Sequence, residues 1–171
     1  MKKNNLILIG MPGAGKSTVG VILAKRIGFN FVDTDLIIQA QMKCRLQEII
    51  NTQGLRKFQS IEEQVLMNLN VDNSIIATGG SAVYSKKGIE KLGETGRIIY
   101  IQVSLESLKK RINDMGQRGL VMAKGQTFEQ LYLERIHLYE SFADRTISCE
   151  NLTAEQVAAK IEKELEETWK R

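Results

Sequence analysis

The sequence predicts an α/β fold in which a five-stranded, mostly parallel sheet is covered by helices on both faces. Two observations carry that expectation. Short apolar runs alternate with amphipathic stretches along the whole chain, as parallel strands joined by helical crossovers require. At 171 residues the chain is about one domain long, and no internal repeat, low-complexity tract or Pro/Ser-rich linker divides it.

Taken in order, the first strand is expected at 6–9, Leu6-Ile7-Leu8-Ile9, and the first helix at 16–27, where Val19, Ile22, Leu23 and Ile27 mark an apolar face. A second strand at 29–32 leads into a long helix at 35–52 and another at 59–69. Strands at 75–77, 98–103 and 146–148 complete the sheet, with helices at 85–92, 105–114, 128–141 and 153–168. The last helix is the clearest: Thr153 and Gln156 stand at capping-box spacing, and Val157, Ile161 and Leu165 recur every four residues. The segment 115–127 differs, because Gly116, Gly119 and Gly125 punctuate it and no period survives, which marks a mobile functional loop.

Composition narrows the function classes. Hydrophobic residues are 43% and charged residues 26%, near the globular average, which argues against wholesale disorder. No apolar run approaches a membrane span, and the four apolar residues before Gly10 are too few for a signal-peptide core. Cys44 and Cys149 cannot make a disulfide framework, so a reducing cytoplasm is the expected setting. The net charge of +4 is small and dispersed, and neither Lys109-Lys110-Arg111 nor Lys170-Arg171 is interleaved with stacking aromatics, so no nucleic acid partner is expected. A modest positive bias suits a small anionic substrate. His137 is the only histidine, which leaves neither a zinc site nor a histidine-based triad in view. Both thiols read as buried or idle rather than nucleophilic.

The strongest chemical signal is Gly10-Met11-Pro12-Gly13-Ala14-Gly15-Lys16-Ser17, a G-x-x-x-x-G-K-[ST] motif between an apolar strand and a helix. Glycines let backbone N–H groups turn inward around phosphate oxygens, and the helix N-terminus adds positive potential. The motif implies a nucleoside triphosphate held by Gly13, Ala14, Gly15, Lys16, Ser17 and Thr18, with Lys16 on the β/γ-phosphates and the Ser17 hydroxyl at Mg²⁺. It makes the fold a three-layer arrangement of the P-loop NTPase type. Asp33 and Asp35 follow the second strand with period-two spacing. Two readings stand: one carboxylate near a metal and one near an attacking hydroxyl, or a helix N-cap with its first-turn acid. Gly79-Gly80 after the third strand either brings backbone amides close to a ligand or makes a plain turn. Arg118 in the Gly-rich loop and Arg135 in a later helix are candidates for a cation closing over the γ-phosphate, though isolated arginines usually serve the surface.

Taken together, these features resemble the shikimate kinase family nearly end to end. The P-loop and the D-x-D of Asp33 and Asp35 are followed by Gly54-Leu55-Arg56-Lys57-Phe58-Gln59-Ser60-Ile61-Glu62, matching a G-E-x-x-F-R-x-x-E segment. Gly79-Gly80-Ser81 matches a triple-glycine turn, Arg118-Gly119-Leu120-Val121 an R-P-L-L lid, and Glu134-Arg135-Ile136-His137-Leu138-Tyr139 an E-R-x-P-L-Y helix. The resemblance implies a single kinase domain over 1–171 with a substrate-binding segment at about 35–62 and a mobile lid at about 115–127. It implies ATP-dependent phosphorylation of shikimate within aromatic amino acid biosynthesis. Lys16 and Arg118 would meet the transferring phosphate, Ser17 and Asp33 would hold Mg²⁺, and Asp35 would hold the acceptor and act as base. Gly79, Gly80 and Arg135 would contact the acceptor, and Arg111 would lie near the adenine.

The departures cluster in the acceptor half. The family arginine that grips the acceptor carboxylate is Gln59, the glutamate of the same segment is Leu55, and Ser81, Gly119 and His137 replace a glycine and two prolines. Gln59 and Arg56, one helical turn apart on the same face, are both expected at the acceptor, with Arg56 as the substitute for the missing arginine. Other small hydroxylated acceptors (a hydroxy acid, an amino-acid alcohol, a sugar acid or a nucleoside monophosphate) and a non-catalytic nucleotide-binding module are the alternatives. Retained Lys16, Asp35 and Arg118 weigh against the last of these. No membrane partner and a monomeric state are expected.

Overall fold

Apolar strands that must be buried on both faces need partners on both edges, and here they find them in one parallel sheet. β1 (Asn5–Ile9), β2 (Asn30–Asp33), β3 (Ser74–Ala77), β4 (Gly96–Gln102) and β5 (Arg145–Ser148) lie in the order β2-β3-β1-β4-β5 in a computed structural model describing residues 4–115, 121–123 and 125–169. β1, β3 and most of β4 are buried, whereas the edge strands β2 and β5 are largely half-buried or exposed. Register is fixed by pairs such as Ile7 with Ile76 on one side and Ile7 with Ile98 on the other. The chain leaves β1 for β2, returns to β3, then crosses to β4, so the topological switch falls at β1. Ligand crevices of open parallel sheets lie there, at the C-terminal strand ends.

Helices α1 (Lys16–Ile27) and α8 (Ala154–Trp169) pack together, joined at the surface by an Arg26 Nε–Glu162 Oε2 hydrogen bond of 2.8 Å. α4 (Leu55–Asn68) and α5 (Lys86–Thr95) pack on each other, and a 3-10 turn (Ala82–Tyr84) links them to α7 (Phe128–Phe142). The Thr153–Gln156 capping box forms as predicted, and Thr127 and Gln130 make a second one ahead of α7.

The predicted helix at 35–52 is two helices, α2 (Thr34–Met42) and α3 (Leu46–Gln53). Lys43 adopts a left-handed conformation, φ 54°, and Arg45 is extended, which breaks the helix with neither glycine nor proline to announce it. α4 starts four residues before its predicted boundary, because Gly54 at φ 82° both ends α3 and begins α4. These three helices enclose a second core of their own, separate from the one under the sheet. Ile38, Leu46, Ile49, Phe58, Ile61 and Val65 are its buried members, and Val121 closes it. α6 (Leu105–Met115) completes the order between β4 and α7.

Candidate active site

β1 delivers the chain into the Gly10–Gly15 loop, and α1 opens at Lys16. Gly15 is the N-cap of α1 at φ 93° and ψ 15°, and a Cβ there would meet nothing within 4 Å, so backbone conformation alone demands glycine. Lys16 is buried, and its Nζ donates to Gly10 O at 2.7 Å and Met11 O at 2.9 Å. Burial pulls its ammonium down to about 8, against the opposing pull of Asp35.

Ser17 Oγ donates to Asp33 Oδ2 at 2.7 Å, and Asp33 Oδ1 accepts from the Asp35 amide at 3.0 Å. The cap reading of the aspartate pair forms, with Asp33 capping α2, and Asp35 stands in the first turn on the wall of the cleft. Burial, then the Asp33 charge, pushes the Asp35 carboxyl up to about 6.

The turn after β3 explains its glycines sterically. Gly79 donates to Thr34 Oγ1 at 3.2 Å, and a Cβ on it would fall 2.5 Å from Glu62 Oε1 and 2.7 Å from Asp35 Oδ1. A Cβ on Gly80 would meet the Pro12 ring at 2.6 Å and Arg135 Nη1 at 3.2 Å. Two carboxylates and a guanidinium thus converge on two residues of backbone, Gly79 and Gly80. Asp35 Oδ1, Glu62 Oε1 and Arg135 Nη1 are all buried without a hydrogen-bond partner. Buried polar atoms rarely stay orphaned unless a ligand completes them.

Arg135 is 1% exposed and tightly held. Its Nη2 donates to Val121 O at 2.7 Å, its Nε donates to Tyr84 Oη at 3.2 Å, and its guanidinium lies 5.0 Å from the Tyr84 ring centroid. One turn on, Tyr139 donates to Gly80 O at 2.7 Å and stacks on Tyr100. Glu62 accepts from Ser81 Oγ at 2.8 Å, and burial pushes its carboxyl up to about 7 against that bond.

These groups border a cleft of about 700 Å³, lined on the phosphate side by Gly13, Gly15, Lys16, Ser17 and Thr18, with Asp35, Thr78 and Gly80. Gln39, Arg45, Leu46 and Gln47 of the α2–α3 region line it too. An adjoining cavity of about 380 Å³ shares Gly13, Gly15 and Thr18 and extends past Ala14 to Arg111, Cys149 and Leu152. Arg111 Nη1 donates to Gly13 O and Ala14 O at 3.4 Å each. The Cys149 thiol, raised to about 11 by burial, is no nucleophile at neutral pH. Cys44 is half-buried against the second core.

Two expected acceptor contacts stand away from the main cleft. Arg56 is exposed and absent from the cleft wall, because it lies about 200° around α4 from Phe58, on the face opposite the second core. Gln59 is half-buried but lines a separate polar cavity of about 190 Å³ with Glu62, Ser81 and Tyr84. Arg118 lies outside the described residues. Sequence reasoning gave no role to Glu62, Tyr84, Tyr139 or Arg45. Glu62 had a legible signal, a lone acid on the Phe58–Ile61–Val65 face of α4. Arg45 had none, since the break that exposes it was unseen. As the N-cap of α3 it makes no side-chain cap bond, although Glu48 accepts from its amide at 3.1 Å. A cation there opposes the helix dipole by about 0.3–1 kcal/mol, and forgoing a serine or aspartate cap costs about 1 kcal/mol more.

The sequence model described as shikimate kinase matches residues 12–166. The chain belongs to the shikimate kinase family. A shikimate kinase of Vibrio parahaemolyticus is 36% identical over 169 residues, covering 97% of this chain and 98% of the relative. Another, from Thermodesulfovibrio yellowstonii, is 34% identical over 165 residues, 95% of each. Among solved structures, shikimate kinase from Acinetobacter baumannii in complex with shikimate superposes with TM-score 0.89 at 29% identity, over 97% of this chain and 94% of that one. The Aquifex aeolicus enzyme gives TM-score 0.80 at 25% identity, over 96% and 98%. The shikimate kinase family phosphorylates a hydroxyl with ATP, and the five-stranded parallel sheet found here is its fold. Among the described residues no helix is long and apolar enough to cross a membrane.

Proposed function

We propose that this chain transfers the γ-phosphoryl group of ATP to a hydroxyl of shikimate, giving shikimate 3-phosphate and ADP. The three unpartnered buried atoms, Asp35 Oδ1, Glu62 Oε1 and Arg135 Nη1, support this reading most directly: Asp35 and Arg135 line one small cavity beside the phosphate loop, Glu62 faces the same glycine turn, and an acceptor with hydroxyls and a carboxylate would supply the missing partners. Family membership and the likeness to a kinase solved with shikimate support it independently.

In this mechanism the triphosphate lies along residues 13–18 with its base beside Arg111 and Cys149. Lys16 holds the β/γ-phosphates and, with Arg118 from the 115–127 segment acting as a lid, meets the charge that develops on transfer. The Ser17 hydroxyl and Asp33 carboxylate are two hard oxygen donors 2.7 Å apart, which fits Mg²⁺, an ion that takes few protein ligands and fills its shell with phosphate and water. Bound there, the ion would neutralise phosphate charge. Ionised Asp35 accepts the proton of the attacking hydroxyl as that oxygen bonds to the γ-phosphorus and the ADP oxygen departs. Its raised carboxyl brings it closer to working pH, which makes it a stronger base than an ordinary aspartate. The bare backbone of Gly79 and Gly80 lets Asp35, Glu62 and Arg135 close on the turn, and Arg135 Nη1 donates to the acceptor. The same reading makes the protein a cytoplasmic monomer.

A coupled ADP-release assay with Mg²⁺ over a panel of alcohols tests the assignment. ADP should form with shikimate well above the rate with water alone. Faster turnover of another alcohol, with shikimate near background, would replace the acceptor; no ADP release with any alcohol would leave a nucleotide-binding module.

A further inference from the structure

The acceptor side of the cleft needs a cation for a carboxylate, and few are available. Lys16 is committed to the phosphate loop, donating to Gly10 O and Met11 O. Arg135 lies behind the turn with Nε and Nη2 each already donating, which leaves Nη1 as its unpartnered nitrogen. A contact through Nη1 alone lacks the parallel two-nitrogen fork that holds a planar carboxylate in one orientation. The remaining arginine on the cleft wall is Arg45. Among the described residues its guanidinium meets no carboxylate and no hydrogen-bond acceptor, and Leu46 beside it lines both the main cleft and the small cavity at Arg135 and Asp35. Its position also breaks a local rule, a cation without capping ability at a helix N-terminus, where Glu48 supplies only the reciprocal half of a capping box.

Resting on the proposed shikimate kinase activity, we infer that Arg45 is the second arm of the acceptor-carboxylate grip, opposite Arg135, taking the task that Gln59 and Arg56 do not perform. α2 carries Asp35 and the α2–α3 break carries Arg45, so one short unit would set both the hydroxyl and the carboxylate of the acceptor. A planar guanidinium at the rim would bind the carboxylate as the acceptor enters and would not touch the nucleotide.

The test uses Arg45→Ser, which supplies an ordinary N-cap and should fold at least as well as the parent, so that an unchanged or higher Tm certifies the variant. Shikimate binding by calorimetry and steady-state KM should both weaken by roughly ten- to hundredfold, with KM for ATP within about twofold of wild type. Arg45→Lys should fall between. Shikimate methyl ester, which lacks the carboxylate charge, should bind wild type more weakly than shikimate does, and this difference should shrink by a similar factor in Arg45→Ser. An unchanged shikimate affinity, a rise in KM for ATP instead, or an undiminished ester penalty would overturn the inference while leaving the shikimate kinase reading intact. A wild type that neither binds nor phosphorylates shikimate would overturn both.

Discussion

Asp35 and Glu62 both have carboxyls raised by burial, to about 6 and about 7. A carboxyl whose folded pKa exceeds its unfolded one contributes stability that is full below the unfolded value and is lost as pH rises through the folded one. Both groups therefore destabilise the free protein above neutrality, while function requires Asp35 ionised. Asp35→Asn should raise stability more at pH 8 than at pH 4 and lower kcat by about two to four orders of magnitude; denaturation at the two pH values, with kinetics, checks both halves. In the wild type, kcat/KM, which reports the free enzyme, should climb as pH passes through about 6. Ser81→Ala removes the hydroxyl that donates to Glu62 and should cost about 1–3 kcal/mol above pH 8, where Glu62 is charged, and less below pH 6. An equal loss at both ends of the range would mean that the hydroxyl does not serve the carboxylate. Much of this site was legible residue by residue: Lys16 and Ser17 through the P-loop motif, Asp33 and Asp35 through their period-two spacing, and Gly79, Gly80 and Arg135 through the family resemblance. The tyrosines were not, because their roles come from packing between distant elements, and Glu62 showed only as an acid on an apolar helix face.

The α2–α3 break shows what element-level reading misses. Apolar periodicity continues across Lys43 without a glycine or proline, so a continuous helix was the natural expectation, and only Lys43 at φ 54° reveals the turn. That turn places Arg45, Leu46 and Gln47 on the cleft wall. Left-handed backbone disfavours any residue with a Cβ, so Lys43→Gly should stabilise the protein by roughly 0.5–1 kcal/mol with unchanged kinetics. Urea melts would show a higher midpoint at constant slope; a lower midpoint would mean that the lysine side chain contributes more than its backbone strain costs. By contrast, the strands and α8 were legible nearly to the residue, because uninterrupted apolar runs and a complete capping box leave little for tertiary context to change.

At the scale of the molecule, the sheet core and the α2–α4 core are separate clusters that meet at the cleft. The smaller should open at lower free energy, since fewer buried residues hold it. Amides of α3 should exchange with solvent faster than those of β1 and β4, and saturating acceptor should slow α3 far more than the sheet. Uniform protection would make the two cores one cooperative unit. The fold class was readable because alternation and the P-loop both act at short range, whereas the division into two cores depends on contacts that the pattern does not display. The central claim, phosphoryl transfer from ATP to shikimate at this cleft, is tested most directly by mass spectrometry of shikimate incubated with ATP, Mg²⁺ and either the wild type or Lys16→Ala. The wild type should add one phosphoryl group per ADP formed, and Lys16→Ala, folded by circular dichroism, should be slower by about two to three orders of magnitude. Unmodified shikimate with wild-type protein, or equal phosphorylation by both proteins, would contradict the account.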